Sequence, residues 1–117
     1  VDLGAWWKGA TGLPLPLGCN GIRRDLPEDH KLRLCRLLTE SIVYGLDHRA
    51  EALDYAIRYA RGLEDDLARS DKFVGMYVNE WTREYGDAGR KAVQLLLDRG
   101  FEAGILPTKI VAEFLDA

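Results

Sequence analysis

The feature that most restricts this chain is the run Leu13-Pro14-Leu15-Pro16-Leu17-Gly18. Each proline fixes its own φ, steers the residue before it towards extended backbone and has no N–H to donate. The run therefore cannot be helix, and it cannot be a fully paired central strand. Together with Cys19-Asn20-Gly21-Ile22 it reads as an extended crossover ending in a glycine-rich turn. Any fold for this chain has to be built from elements on the two sides of that crossover.

On the N-terminal side, Val1-Asp2-Leu3-Gly4 reads as the end of a β-strand. A short helix over Ala5 to Thr11 follows, closed by Gly12, which tolerates the left-handed conformation that ends helices. On the C-terminal side the pattern turns helical from Asp25-Leu26-Pro27-Glu28-Asp29 onward. Leu32, Cys35, Leu38, Ile42 and Leu46 recur at spacings of three and four, the signature of one helical face. Leu34 and Leu37 widen that face and predict a helix buried on more than one side. A break between Gly45 and Arg49 leads to a second helix with Leu53, Ala56, Ile57 and Ala60 inward, ended by Gly62.

The acidic link Glu64-Asp65-Asp66 precedes a third helical segment, in which Phe73, Tyr77, Trp81 and Tyr85 repeat every four residues as a core stripe. Gly86 punctuates it. A fourth helix carries Ala88, Ala92, Val93, Leu96 and Leu97 and stops at Gly100, and a last turn or helix after Pro107 presents Ile110, Val111, Phe114 and Leu115. A strand at the very start has no partner for its backbone groups within this sequence, and no initiator Met precedes it. Both features predict a segment that begins inside a larger fold, with an ordinary processed start as the alternative.

The chain's 117 residues carry 30% charged and 47% hydrophobic side chains, too apolar for disorder and within the size of one domain. A net charge of -3, with Lys and Arg scattered among Asp and Glu, opposes a nucleic-acid or anionic-membrane surface. No apolar run is long enough to span a bilayer, and no signal peptide opens the chain. Two cysteines outside any cysteine-dense framework fit a reducing cytoplasm.

Candidate chemistry is sparse. Cys19, His30, Cys35 and His48 are the available soft or imidazole ligands, and none has the close pairing that zinc sites favour. No metal is expected. Cys35 falls on the apolar face of its helix, and the two histidines fall at helix ends. Cys19 is the one cysteine placed to act as a nucleophile, which would require a base within reach. Gly18-Cys19-Asn20-Gly21 could offer backbone N–H groups to an anion. It lacks the Lys-Ser/Thr of a P-loop. The pattern contains no self-sufficient catalytic site.

Val1-Asp2-Leu3-Gly4-Ala5-Trp6-Trp7-Lys8, Thr11-Gly12 with the Leu13–Gly18 run, and Ile22-Arg23-Arg24-Asp25-Leu26 closely resemble the 1,4-dihydroxy-6-naphthoate synthase family. His48 with Glu51-Ala52-Leu53-Asp54-Tyr55, and Tyr77-Val78-Asn79, fit the same pattern. The chorismate dehydratases share a Gly-Leu-Pro entry to the crossover, but Leu15-Pro16-Leu17-Gly18 is similar to the naphthoate synthase branch.

The resemblance implies an α/β fold, of which this chain is a C-terminal, helix-rich fragment of a two-lobed, type II periplasmic-binding-protein-like architecture. Residues 1–22 would be the end of the second lobe and the hinge crossover, a return strand, and residues 23–117 a helical part packing on the first lobe. The implied reaction is a lyase step of the futalosine pathway to menaquinone, converting cyclic dehypoxanthine futalosine to 1,4-dihydroxy-6-naphthoate in the cytoplasm without a cofactor. Its histidine base would lie upstream of Val1, so neither His30 nor His48 takes that role and the isolated fragment would be inactive.

Ligands of such folds bind between lobes, which makes Leu17, Gly18, Cys19 and Asn20 cleft-adjacent. Gly18 and Asn20 are the expected substrate-binding pair, one permitting close approach and the other able to donate or accept. The partner would be a small-molecule substrate, and the fragment would self-associate through surface left uncovered. Two other classes stand beside this reading: a solute-binding protein of the same fold, marked by an export signal upstream, and a stand-alone helical interaction module.

Overall fold

The helix that opens the chain gives Asp2, Trp7 and Lys8 of the opening motif their roles. Asp2 is its N-cap, with extended backbone and a carboxylate that accepts from the Ala5 N–H at 2.9 Å. Helix α1 (Leu3–Thr11) therefore begins where the sequence suggests a strand end, because the Asp2 cap satisfies an orphan N–H of the first turn. Its other end is closed three times over. Gly12 takes a φ of 72° and donates to the Lys8 carbonyl, the Lys8 ammonium donates to the Gly12 carbonyl, and the Thr11 hydroxyl donates to the Trp7 carbonyl.

The structure, a computed structural model, describes residues 1–59 and 67–116, without the Leu67 side chain. The expected roles of Ala60, Gly62 and Glu64-Asp65-Asp66 lie outside the described residues. The other helices are α2 (Glu28–Asp47), α3 (Arg49–Ala56) with a 3₁₀ turn over Ile57–Tyr59, α4 (Leu67–Tyr77), α5 (Glu80–Arg83) and α6 (Gly86–Glu102). Among the described residues there is no strand, so the fold of this chain is helix-rich. It divides into two units: Val1–Asp25 with Tyr85–Leu115, and a second made chiefly of Leu26–Glu84.

In the first unit the core is small and centred on Trp7, only 3% exposed, and on Ala92, fully buried in α6. The Trp7 indole N–H donates to the Pro14 carbonyl at 3.0 Å, and the Arg99 guanidinium lies 5.2 Å from the Trp7 ring centroid. One side chain thus ties α1 to both the crossover and α6. Beyond α6 the chain does not form the expected last turn or helix. It reverses at Gly104, whose φ of 70° suits glycine, and continues without helix to Asp116. Gln94 holds this tail as a neighbouring strand would. Its amide donates to the Ile110 carbonyl and accepts from the Ala112 N–H, both at 2.9 Å.

Gly100 does not stop α6, which runs on to Glu102. Its lack of a side chain serves packing instead, since a Cβ there would come within 3.2 Å of the Leu106 side chain. Leu96, expected inward, is among the exposed large apolar side chains.

The second unit packs α2 against α3 and α5, and α3 against α4. The break after α2 falls at His48, as its spacing predicts. The His48 N–H donates to the Tyr44 carbonyl while its own carbonyl accepts from Ala52, so one residue ends α2 and starts α3. The imidazole stacks on Tyr44 with centroids 4.0 Å apart. Leu53 is buried, whereas Ala56 points outward. The Arg49 guanidinium pairs with the Asp71 carboxylate and donates to the Asp71 carbonyl at 3.0 Å, joining α3 to α4.

Two expectations for this unit fail. No residue of α2 is fully buried, and Leu34, Leu37 and Leu38 are exposed, so its wide apolar face is covered on one side only. The aromatic stripe is not a core stripe either: Phe73, Tyr77 and Trp81 are all exposed. Asn79 interrupts the helix on which that four-residue spacing depends. Its side chain caps α5 by accepting from the Trp81 N–H at 3.0 Å and donates to the Gly75 carbonyl at 3.3 Å. Its own N–H donates to the Thr82 hydroxyl, closing a reciprocal cap.

Candidate functional site

The crossover carries the two residues singled out for substrate, Gly18 and Asn20, and both are exposed. The backbone from Leu13 to Arg23 is neither helix nor turn, which bears out the non-helical reading of the two prolines. The glycine-rich turn is not there. Left-handed backbone occurs among the described residues at Gly12, Gly86 and Gly104, and Gly18 and Gly21 are not among them. An anion-binding nest needs alternating hand along successive residues, so this stretch does not form one. A Cβ on Gly18 or Gly21 would meet nothing within 4 Å, so neither glycine serves a close approach within the chain itself.

Gly18 is held from a distant part of the sequence. The Tyr85 hydroxyl donates to the Gly18 carbonyl over a long 3.4 Å, and the Tyr85 ring meets Phe114 edge-on with centroids 5.8 Å apart. The Arg90 guanidinium lies 5.1 Å from the Phe114 ring centroid. Partial burial pushes the Tyr85 hydroxyl above the ordinary tyrosine range, and the negative charge of Cys19 as thiolate adds to the rise. Tyr85 stays neutral and able to donate at physiological pH. At the far end of the crossover, Arg24 pairs with Glu113 of the tail at 2.9 Å.

The grouping of Tyr85, Phe114 and Arg90 beside Gly18 is not legible in the sequence. Tyr85 lies 67 residues from Gly18, and its spacing from Trp81 placed it in a core stripe. The other candidates are scattered. His48 has its Nδ1 3.0 Å from the Tyr44 carbonyl, and His30 lies 3.8 Å from the Asp29 carboxylate. Among the described residues no three of His, Cys, Asp and Glu gather where a metal ion could be held. No helix is long and apolar enough to cross a membrane, among the described residues. What the structure brings together at Gly18 is one phenol on a backbone carbonyl, with the Tyr85 ring packed on Phe114.

Comparison with known proteins gives this stretch its context. The family model for menaquinone biosynthesis matches residues 1–102, most of the chain. The chain belongs to that family. A 1,4-dihydroxy-6-naphthoate synthase of Thermus thermophilus is 41% identical over 105 residues, covering 90% of this chain and 38% of the relative. One of Streptomyces coelicolor is 35% identical over 107 residues, covering 92% of this chain and 37% of the relative. The chain thus spans well under half the length of these curated relatives of the menaquinone biosynthesis family. No solved structure gives a significant match. The family relationship reaches across both units, from the capped helix α1 through α6.

Proposed function

We propose that these residues are the C-terminal part of a cytoplasmic, two-lobed enzyme that converts cyclic dehypoxanthine futalosine to 1,4-dihydroxy-6-naphthoate, a lyase step towards menaquinone. The carrying observation is that two relatives bearing this enzyme's name match nearly the whole chain, yet the chain covers only 38% and 37% of them. In this reading the fold is type II periplasmic-binding-protein-like, and the strands of an α/β architecture belong to the part not represented here. The crossover from Leu13 to Ile22 runs through the hinge and lines the cleft with Gly18 and Asn20. No cofactor takes part. The proton-abstracting histidine is supplied upstream, which leaves the chain alone inactive, in keeping with the placement of His30 and His48 at the ends of α2.

The same reading accounts for the uncovered apolar side chains. Leu34, Leu37 and Leu38 on α2, and Phe73, Met76 and Tyr77 on α4, are large apolar side chains left exposed, the kind of surface that marks an interaction site when contiguous. The isolated chain is therefore expected to self-associate. Light scattering at high concentration checks this: the scattering mass should exceed 13.2 kDa and fall towards it in a Leu34→Glu/Leu37→Glu double variant. A monodisperse monomer of the unaltered chain would contradict the expectation. The enzymatic reading itself is tested by mass-spectrometric detection of 1,4-dihydroxy-6-naphthoate from a full-length polypeptide carrying these residues. Substrate retained without conversion would point instead to a solute-binding protein.

A further inference from the structure

We infer that Tyr85 is a positioning residue for the substrate-facing stretch Gly18–Asn20, an inference that rests on the reading of that stretch as part of the cleft. The geometry provides both the need and the means. Two prolines deny the crossover a helix, and its middle is exposed backbone with no helical hydrogen bonds to hold it. At its start it is fixed by the Trp7 indole on the Pro14 carbonyl, and at its end by the Arg24–Glu113 pair. Between these ties the Tyr85 hydroxyl reaches the Gly18 carbonyl. The contact falls on Gly18, the first of the residues expected to meet ligand.

Tyr85 is itself rigidly mounted. Its carbonyl accepts from the Gly89 N–H at 2.9 Å in the first turn of α6, and Gly86 supplies the φ of 54° that lets the chain enter that helix. Its ring is braced edge-on by Phe114, against which the Arg90 guanidinium lies. A hydroxyl carried on a helix start, with its ring packed, gives a defined point against which a segment without helical hydrogen bonds can register. A single neutral hydrogen bond contributes modestly, so its loss should loosen the stretch without unfolding the unit.

The experiment compares Tyr85→Phe, which keeps the ring and removes the hydroxyl, with the unaltered residue in a full-length polypeptide carrying these residues. Backbone order parameters from amide nitrogen relaxation are read at Cys19 and Asn20, and the turnover assay is read for KM and kcat separately. Lower order parameters are expected there, with KM raised about fivefold and kcat within about twofold, since one hydrogen bond is lost from a binding surface. Unchanged order parameters overturn the role of Tyr85. Lower order parameters with unchanged KM show instead that Tyr85 holds the stretch but that Gly18–Asn20 does not face substrate, which overturns the cleft assignment. A fall in apparent kcat at constant KM, tracking the folded fraction by circular dichroism, marks a merely structural role and also overturns the inference.

Discussion

Replacing Trp7 with alanine is expected to destabilise the first unit by about 3–5 kcal/mol, the usual cost of emptying a large aromatic site. Trp7 is 3% exposed, and few other side chains of that unit are as well buried. The loss is not only volume. The substitution also removes the donor to the Pro14 carbonyl and the ring beside Arg99. The neighbouring Trp6 has the same chemistry but is 59% exposed, so Trp6→Ala should change stability by less than about 1 kcal/mol. Urea unfolding followed by near-ultraviolet circular dichroism separates the two. Equal effects from both substitutions would mean that Trp7 does not anchor α1.

The second large effect is expected at Leu53, which at 8% exposure is the best-buried large apolar side chain described in the second unit. It sits on α3, the helix that contacts both α2 and α4. Leu53→Ala should cost about 2–4 kcal/mol through lost burial and the cavity left behind. Leu37→Ala on the exposed face of α2 should cost little in the isolated chain. Far-ultraviolet circular dichroism during urea unfolding should show α2, α3 and α4 losing helicity earlier in the Leu53 variant. A midpoint unchanged from the unaltered chain would show that these helices do not depend on Leu53 for their packing.

How much could be read in advance depended on whether the decisive interaction was local. The spacing of Leu32, Cys35, Leu38, Ile42 and Leu46 was enough to locate α2, and Pro14 and Pro16 were enough to exclude helix from the crossover. Gly12 and Gly86 were visible as punctuation because positive φ at those places suits glycine. Asp2 was misread. A residue that looks like a strand end from its apolar neighbours acts as a helix cap through a side chain three residues from its donor.

The errors in burial have another origin. A four-residue aromatic repeat and a broad leucine face predict buried helices when a partner is present to cover them. In this chain Leu34, Leu37, Phe73 and Trp81 stand exposed, and periodicity marks a face without marking what packs on it. At the candidate site, Gly18 and Asn20 are expected from where two-lobed folds bind ligands, whereas Tyr85 joins Gly18 across 67 positions and leaves no local trace. The tail from Pro107 looked helical because Ile110, Val111, Phe114 and Leu115 fall at helical spacing. Gln94 instead bonds to both sides of Val111, to the Ile110 carbonyl and the Ala112 N–H, in a tail that is not helical.

The most direct test of the central claim is a turnover measurement on a chimera. The upstream portion of the Thermus thermophilus relative would be joined to these residues in place of the 105 it aligns with, and the product followed by mass spectrometry. Folding of the chimera would first be established by a cooperative thermal transition and a single species in light scattering. The account predicts 1,4-dihydroxy-6-naphthoate from the folded chimera and none from the 117-residue chain alone. A folded chimera that forms no product from cyclic dehypoxanthine futalosine, or turnover by the chain on its own, would contradict it.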